Sequence, residues 1–334
     1  MTKKRVRWVF FFLLKVLIVA SLLYYLSTSE KLHLSSFQLL ISDGQILFGS
    51  LAFWLLGSVI LTSVRWQRLV EGMHLKLSLL KAIRFNLIGF FFNIVSPGAV
   101  GGDLIKALYV YRGQPQGRKT PALLSILLDR VMGLYGIFAI ASAVALYTRS
   151  FQHPVPFIRT SSIFSLSVFL AMTLFFSSVF IPFKEGNDPF LRFFSKPIIG
   201  FSTLTKIYLA LRSLKSCNLF QAWALAVVYQ LLAIAFFLFI THKLSSTVFS
   251  IQDFIMVYPV GTLSVALPIA PGGLGVGHLA FERIFYFIGV KEGANIFNIY
   301  FIGQSSLNLL GFIPYLFLHE TKSLAEMQKD LTED

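Results

Sequence analysis

Cysteine is nearly absent. Cys217 stands alone, which excludes a disulfide framework and a thiolate metal cluster. Histidine is sparse at six residues, and no pair has the spacing of a zinc protease. Neither a G-x-S-x-G elbow nor a Walker loop occurs. No metal or cofactor is therefore expected. Charge is scarce as well: 13% of residues are charged and 56% are apolar, against roughly 25% and 45–50% in soluble domains. A soluble fold of 334 residues would need two domains with very little polar surface. A bilayer removes that difficulty, because lipid solvates an apolar exterior. The scarcest charge is acidic, with 15 Asp and Glu against 29 Lys and Arg, a net charge of +14. A nucleic-acid-binding protein would gather such an excess into a patch. Here the basic residues form short runs between long apolar stretches, as in a membrane protein oriented against anionic lipid. No nucleic-acid partner is expected. Phenylalanine, by contrast, is abundant at 36, which suits lipid-facing and interfacial positions.

The apolar stretches have spanning length, about 20 residues, at Trp8–Ser27, Gln45–Val64, Val131–Tyr147, Ser161–Phe183, Leu219–Ile240 and Ala294–Leu318. The first follows Lys3, Lys4, Arg5 and Arg7. No small-residue cleavage site follows Tyr24-Tyr25-Leu26, so it reads as an uncleaved span. The third is short unless its helix begins upstream near Ala122, in which case it carries Asp129 and Arg130 into the membrane. The reading is an all-α polytopic integral membrane protein, a single transmembrane domain over 1–334 with six full spans and two further, broken stretches. With the N-terminus in the cytoplasm, only Lys31, Arg149, Arg159, Lys243 and Lys291 fall outside, and Lys15, Arg130 and Arg283 fall within the membrane. The other 21 of the 29 basic residues lie inside. That asymmetry places both termini in the cytoplasm and the chain in the cell (inner) membrane.

The broken stretches, about 85–111 and 254–290, each carry a Pro-Gly cluster in the middle. One reads Ser96-Pro97-Gly98-Ala99-Val100-Gly101-Gly102-Asp103. The other reads Pro271-Gly272-Gly273-Leu274-Gly275 and runs on to Gly277-His278. Proline lacks the N–H and glycine costs about 1 kcal/mol relative to alanine, so both stop helices. The arms of the first are too short to cross, which predicts a re-entrant hairpin. The second reads either as a hairpin or as two complete crossings, for up to eight spans. Both clusters share the pattern Pro-Gly-small-aliphatic-Gly, and the span count has them entering from opposite sides. That is the arrangement of inverted-repeat transporters, whose broken helices meet near the midplane.

Several charges lie in or beside apolar segments: Asp103, Lys106, Asp129, Arg130, Glu282 and Arg283. A charge at the bilayer centre costs at least about 2.5–3.5 kcal/mol, so such groups pair or serve a substrate. Asp103 and Lys106 share a helix face. Asp129-Arg130 and Glu282-Arg283 are adjacent and diverge, so each side chain needs a partner on another helix. An Arg in such a cavity is suited to hold a lipid phosphate in two-point fashion. His278 lies one helical turn before Glu282, as a relay partner or a packing residue. Gln304 and Asn308 belong to a polar stripe in the last span that faces either a substrate path or a neighbouring helix. The segment about 190–218 is basic and amphipathic, suited to the cytoplasmic leaflet.

These motifs resemble the transmembrane-domain family of lysylphosphatidylglycerol synthetases. The carriers are Phe92-Asn93 leading to Ser96-Pro97-Gly98 and Gly101-Gly102-Asp103, then Leu128-Asp129-Arg130 with Gly133-Leu134, then Ala270-Pro271-Gly272-Gly273-Leu274-Gly275. The resemblance covers about residues 10 to 318. It implies a flippase-like module, which in full-length relatives moves aminoacylated phosphatidylglycerol that a separate soluble domain makes. The chain ends at Asp334 soon after the last span, so lysyl transfer is not expected, and a separate synthase or glycosyltransferase is the expected partner. Relatives often carry an Arg-Glu pair just after the second glycine motif. Here Gly277-His278 stands there and the carboxylate comes later, at Glu282.

The expectation is a flippase-like lipid translocase that moves or binds an anionic or aminoacylated phospholipid or a lipid-linked headgroup. Arg130 and Arg283 would take the phosphate, and Asp103 and Glu282 a cationic headgroup or proton. Two alternatives stand beside it: a membrane enzyme or accessory protein of polyprenyl-linked glycan assembly, and a structural partner of a membrane complex.

Overall fold

The computed structural model describes residues 34–95, 100–112, 119–181, 188, 191, 201–266 and 275–317. Every regular element among them is helical: α1 (Leu34–Ser42), α2 (Gly44–Gly72), α3 (Leu79–Val95), α4 (Val100–Arg112), α5 (Lys119–Thr148), α6 (Pro156–Val179), α7 (Phe201–Arg212), α8 (Ser216–Leu244), α9 (Ile251–Ala266), α10 (Val276–Tyr286) and α11 (Gly293–Phe317). The helices α2, α5, α6, α8 and α11 are long and apolar enough to cross a membrane. They match five of the six expected spans, and the expected Trp8–Ser27 span lies outside the described residues. Two boundaries differ from expectation. The α2 helix does not stop at Val64 but continues to Gly72, because Trp66, Leu69 and Val70 form an apolar stripe that is buried. The α5 helix starts at Lys119, so Asp129 and Arg130 lie well inside it.

The central helix α8 runs antiparallel to α2. At one end of the bundle Asn218 Nδ2 donates to the Arg68 carbonyl at 3.0 Å. At the other, Lys243 Nζ meets Asp43 Oδ2 at 3.2 Å. Asp43 also caps α2, accepting from the N–H groups of Ile46 and Gln45. The Ile46 N–H, with the Gln45 N–H and Lys243 ammonium, holds its carboxyl below the usual carboxylate range against the opposing effect of burial. These contacts define a Gly72 end and an Asp43 end.

From the Gly72 end, α3 rises and α4 returns beside it. Phe85 stacks on Tyr109 at 5.3 Å, and Asn93 Oδ1 accepts from the Gly102 N–H at 2.7 Å. The arms touch backbone to backbone at the crossing, where a Cβ on Gly102 would collide with the Gly89 carbonyl oxygen. From the Asp43 end, α9 descends and α10 returns. Phe254 pairs with Phe285 at 5.1 Å and Tyr258 with Phe281 at 6.2 Å. The second broken stretch thus pairs its arms side by side as a hairpin does, with 16 residues described in one arm and 11 in the other. Gly275, at φ +74° just before α10, adopts a left-handed conformation open to glycine. His153 Nε2, in the α5–α6 connection, lies 3.6 Å from Asp253 Oδ1 at the start of α9. The two hairpins therefore enter the bundle from opposite ends.

At the Gly72 end the amphipathic α7 is latched to residues that follow α6. Arg212 pairs with Asp188 and donates to the Ile181 carbonyl at 2.9 Å. The Tyr208 hydroxyl donates to Asp188 at 2.9 Å, and burial, followed by that bond, raises its pKa.

Candidate functional site

A cavity of about 520 Å³ lies where the two hairpins meet, walled also by α2, α5, α8 and α11. Its polar wall comes from α2, the first hairpin and α5. Arg65 Nε is 2.7 Å from Asp129 Oδ1, and both side chains are buried, at 7% and 8% exposure. Lys106 Nζ sits 3.9 Å from Asp129 Oδ2 and 4.0 Å from Asp103 Oδ1, over the Trp66 ring at 4.5 Å. Arg130 Nε donates to Asp103 Oδ2 at 2.6 Å from a half-exposed position. Asp129 and Arg130 thus each find a partner on another helix, as adjacent residues on one helix must. Asn86 anchors α3 to α2 through Ser63 Oγ at 2.8 Å, and Gln230 of α8 donates to the Gly133 carbonyl at 2.9 Å.

The opposite wall is aromatic. Phe237, Tyr258, Phe281, Phe297 and Tyr300 line the cavity and brace one another, with Phe237 4.6 Å from Tyr300 and Phe281 stacked on Phe297 at 5.2 Å. The chamber is therefore amphipathic, with charge on one side and rings on the other. Its volume falls in the range of small-molecule sites, about 300–1,000 Å³.

Of the residues singled out from sequence, Asn93, Asp103, Lys106, Asp129 and Arg130 line this cavity together. Gly101 and Gly102 sit in the first turn of α4, where Gly102 serves the arm crossing. Others lie elsewhere. Glu282 and Arg283 are exposed on α10, because Phe281, Ile284 and Phe285 take its buried face. His278 is held in place: its Nδ1 accepts from the Gly275 N–H at 3.4 Å, which leaves Nε2 to donate to Asn298 Oδ1 at 3.2 Å. Gln304 and Asn308 join α11 to α2. Gln304 Oε1 accepts from Ser58 at 3.2 Å and Asn308 Oδ1 from Trp54 Nε1 at 2.9 Å. Pro97, Gly98, Pro271, Gly272 and Gly273 lie outside the described residues. The expected phosphate ligand Arg283 is thus away from the cavity, and Arg65, unmarked by the sequence reading, is inside it. Arg65 shares a helix face with Leu69, a pattern that becomes visible only once the helix is known to continue past Val64.

Comparison with known proteins agrees with this architecture. A family model described as the lysylphosphatidylglycerol synthase TM region matches residues 12–297. A UPF0104 membrane protein of Pyrococcus horikoshii is 27% identical over 122 residues, an alignment that spans 36% of each chain. No solved structure matches.

Proposed function

The chain belongs to the lysylphosphatidylglycerol synthase TM-region family, and from that premise we propose that it is a lipid translocase of the cell membrane. The observation that carries this reading is a single chamber walled by both oppositely entering hairpins, charged on one side and aromatic on the other. A phospholipid has the same division. Its headgroup is stabilised against Arg65, Lys106 and Arg130, while the first segments of its acyl chains lie against Phe281, Phe297 and Tyr300. In the membrane interior such a headgroup needs fixed partners to replace water, and helix arms broken at mid-depth supply them without exposing backbone to lipid. The excess of basic residues in the segments expected at the Gly72 end supports a cytoplasmic position for that end and for both termini. The proposed act is movement between leaflets without a covalent step.

The test uses proteoliposomes carrying a trace of fluorescent phospholipid and a membrane-impermeant quencher. The expected result is that quenching proceeds beyond the outer-leaflet share when the protein is present. Equal quenching in protein-free vesicles, across several anionic lipids, sinks the proposal.

A further inference from the structure

Arg65 is the group on which the chamber is unfinished. Its Nε is committed to Asp129, yet its Nη1 is buried and meets no hydrogen-bond partner among the described residues. A side chain at position 133 would border this edge of the guanidinium, and the residue there is glycine. A Cβ at Gly133 would lie 3.6 Å from Nη1 and 4.0 Å from Nη2. Both Arg65 and Gly133 line the cavity. Lys106 is also underused: its 3.9 and 4.0 Å approaches to the two carboxylates are longer than hydrogen bonds, so its ammonium keeps donors for a ligand. Charge then sets the ligand's class. Among the described residues, the charged side chains that line the cavity are Arg65, Lys106 and Arg130 with Asp103 and Asp129, one positive charge in excess.

We propose, resting on the translocase reading above, that the site selects a headgroup with one net negative charge, a phosphodiester, and that Arg65 is its phosphate ligand. A phosphodiester brings one negative charge and oxygens matched to the guanidinium edge. A phosphomonoester brings about 1.5–2 and overfills the surplus. A lysylated headgroup adds positive charge where the surplus is already positive, and both carboxylates are engaged. The chamber thus departs from the lipid for which the family is named.

The experiment titrates the full-length protein in neutral detergent and reads ligand affinity together with the thermal midpoint. The probes are short-chain phosphatidylglycerol, phosphatidylcholine, phosphatidate and lysylphosphatidylglycerol, with glycerophosphoglycerol and inorganic phosphate as chain-free controls. Phosphatidylglycerol is expected to bind tightest. Arg65→Lys keeps the charge and the Asp129 pair but loses the fork, and should weaken phosphatidylglycerol about tenfold, the size of a lost charge-assisted bond. Asp103→Asn, at a site 22% exposed and so tolerant of change, raises the surplus by one charge. It should shift the preference toward phosphatidate by roughly tenfold, a response that a merely structural Asp103 would not give. Wild-type affinity in Arg65→Lys, an unchanged phosphatidate preference in Asp103→Asn, or tightest binding of the lysylated lipid overturns the proposal. Equal affinity for glycerophosphoglycerol or inorganic phosphate overturns the lipid as the source of the phosphate. The two readings fail separately. Selective binding without leaflet exchange removes the translocase and leaves the phosphate site, while exchange indifferent to headgroup charge does the reverse.

Discussion

In the first hairpin, α3 and α4 meet at Gly89 and Gly102, backbone against backbone, and the arms present Asn86, Asn93, Asp103 and Lys106 to the cavity. In the second, α9 and α10 meet ring against ring, Phe254 on Phe285 and Tyr258 beside Phe281, and present Tyr258, Thr262 and Phe281 to the same cavity. Its charged pair, Glu282 and Arg283, is exposed away from the chamber. One backbone plan, inverted, thus serves two chemistries. The repeat accounts for where the chamber lies, while the residues on each arm decide which wall is charged. A symmetric chamber would offer a lipid no preferred orientation. This one carries charge on one side and rings on the other.

If the first hairpin is the charged wall, removing one of its counter-ions should have the largest effect. Asp129→Ala strips Arg65 and Lys106 of their shared partner and should destabilise the protein by about 3–5 kcal/mol, the penalty of an uncompensated buried charge. A double substitution, Arg65→Met with Asp129→Leu, removes both charges of this buried pair and should recover much of that loss. Thermal midpoints of the purified variants check it. Equal midpoints for the single and double variants would mean that the charges are solvated and that this wall does not differ in kind from the other.

The next effect separates the two crossings. Gly102→Ala drives a methyl into the Gly89 carbonyl, a backbone atom that has no rotamer in which to yield, and should cost about 2 kcal/mol. In the second hairpin the crossing is made of side chains that can repack. Phe281→Leu should therefore cost only about 1 kcal/mol, although Phe281 is 1% exposed. The same thermal measurement ranks the pair, and a larger loss for Phe281→Leu would reverse the assignment of the rigid crossing to the first hairpin.

The contrast between the hairpins also marks what the sequence can disclose. Pro97-Gly98 and Pro271-Gly272 announce the breaks because proline and glycine stop helices in any context, and the span lengths follow from bilayer thickness. Asp103, Lys106, Asp129 and Arg130 are legible because charge within apolar segments is costly. Arg65 is not, since Arg65-Trp66-Gln67-Arg68 reads as a cytoplasmic run when the span is ended at the last uninterrupted apolar residue. Only the packing of Trp66 and Leu69 shows that the helix continues and draws Arg65 inward. The aromatic wall is hidden for another reason: Tyr258 and Tyr300 in apolar runs look the same whether they face lipid, core or cavity. Gln304 and Asn308 show the converse. A polar stripe in a span is plain in the sequence, yet its partners Ser58 and Trp54 lie some 250 residues away.

The smallest effect is the one that sharpens the comparison most. Glu282 and Arg283 are, by residue type, the counterparts of Asp103 and Lys106 in the other hairpin, and a strictly repeated chemistry would give them equal weight. Their exposure on α10 gives them none in the chamber. Glu282→Gln and Arg283→Gln should each change stability by less than about 0.5 kcal/mol, as surface substitutions do, and should leave phospholipid exchange in proteoliposomes at the wild-type rate. Asp103→Asn, measured beside them, should change headgroup preference. A loss of exchange in either α10 variant with an unchanged thermal midpoint would show that the second hairpin also brings charge to the lipid path, in a conformation where α10 turns its outer face toward the chamber.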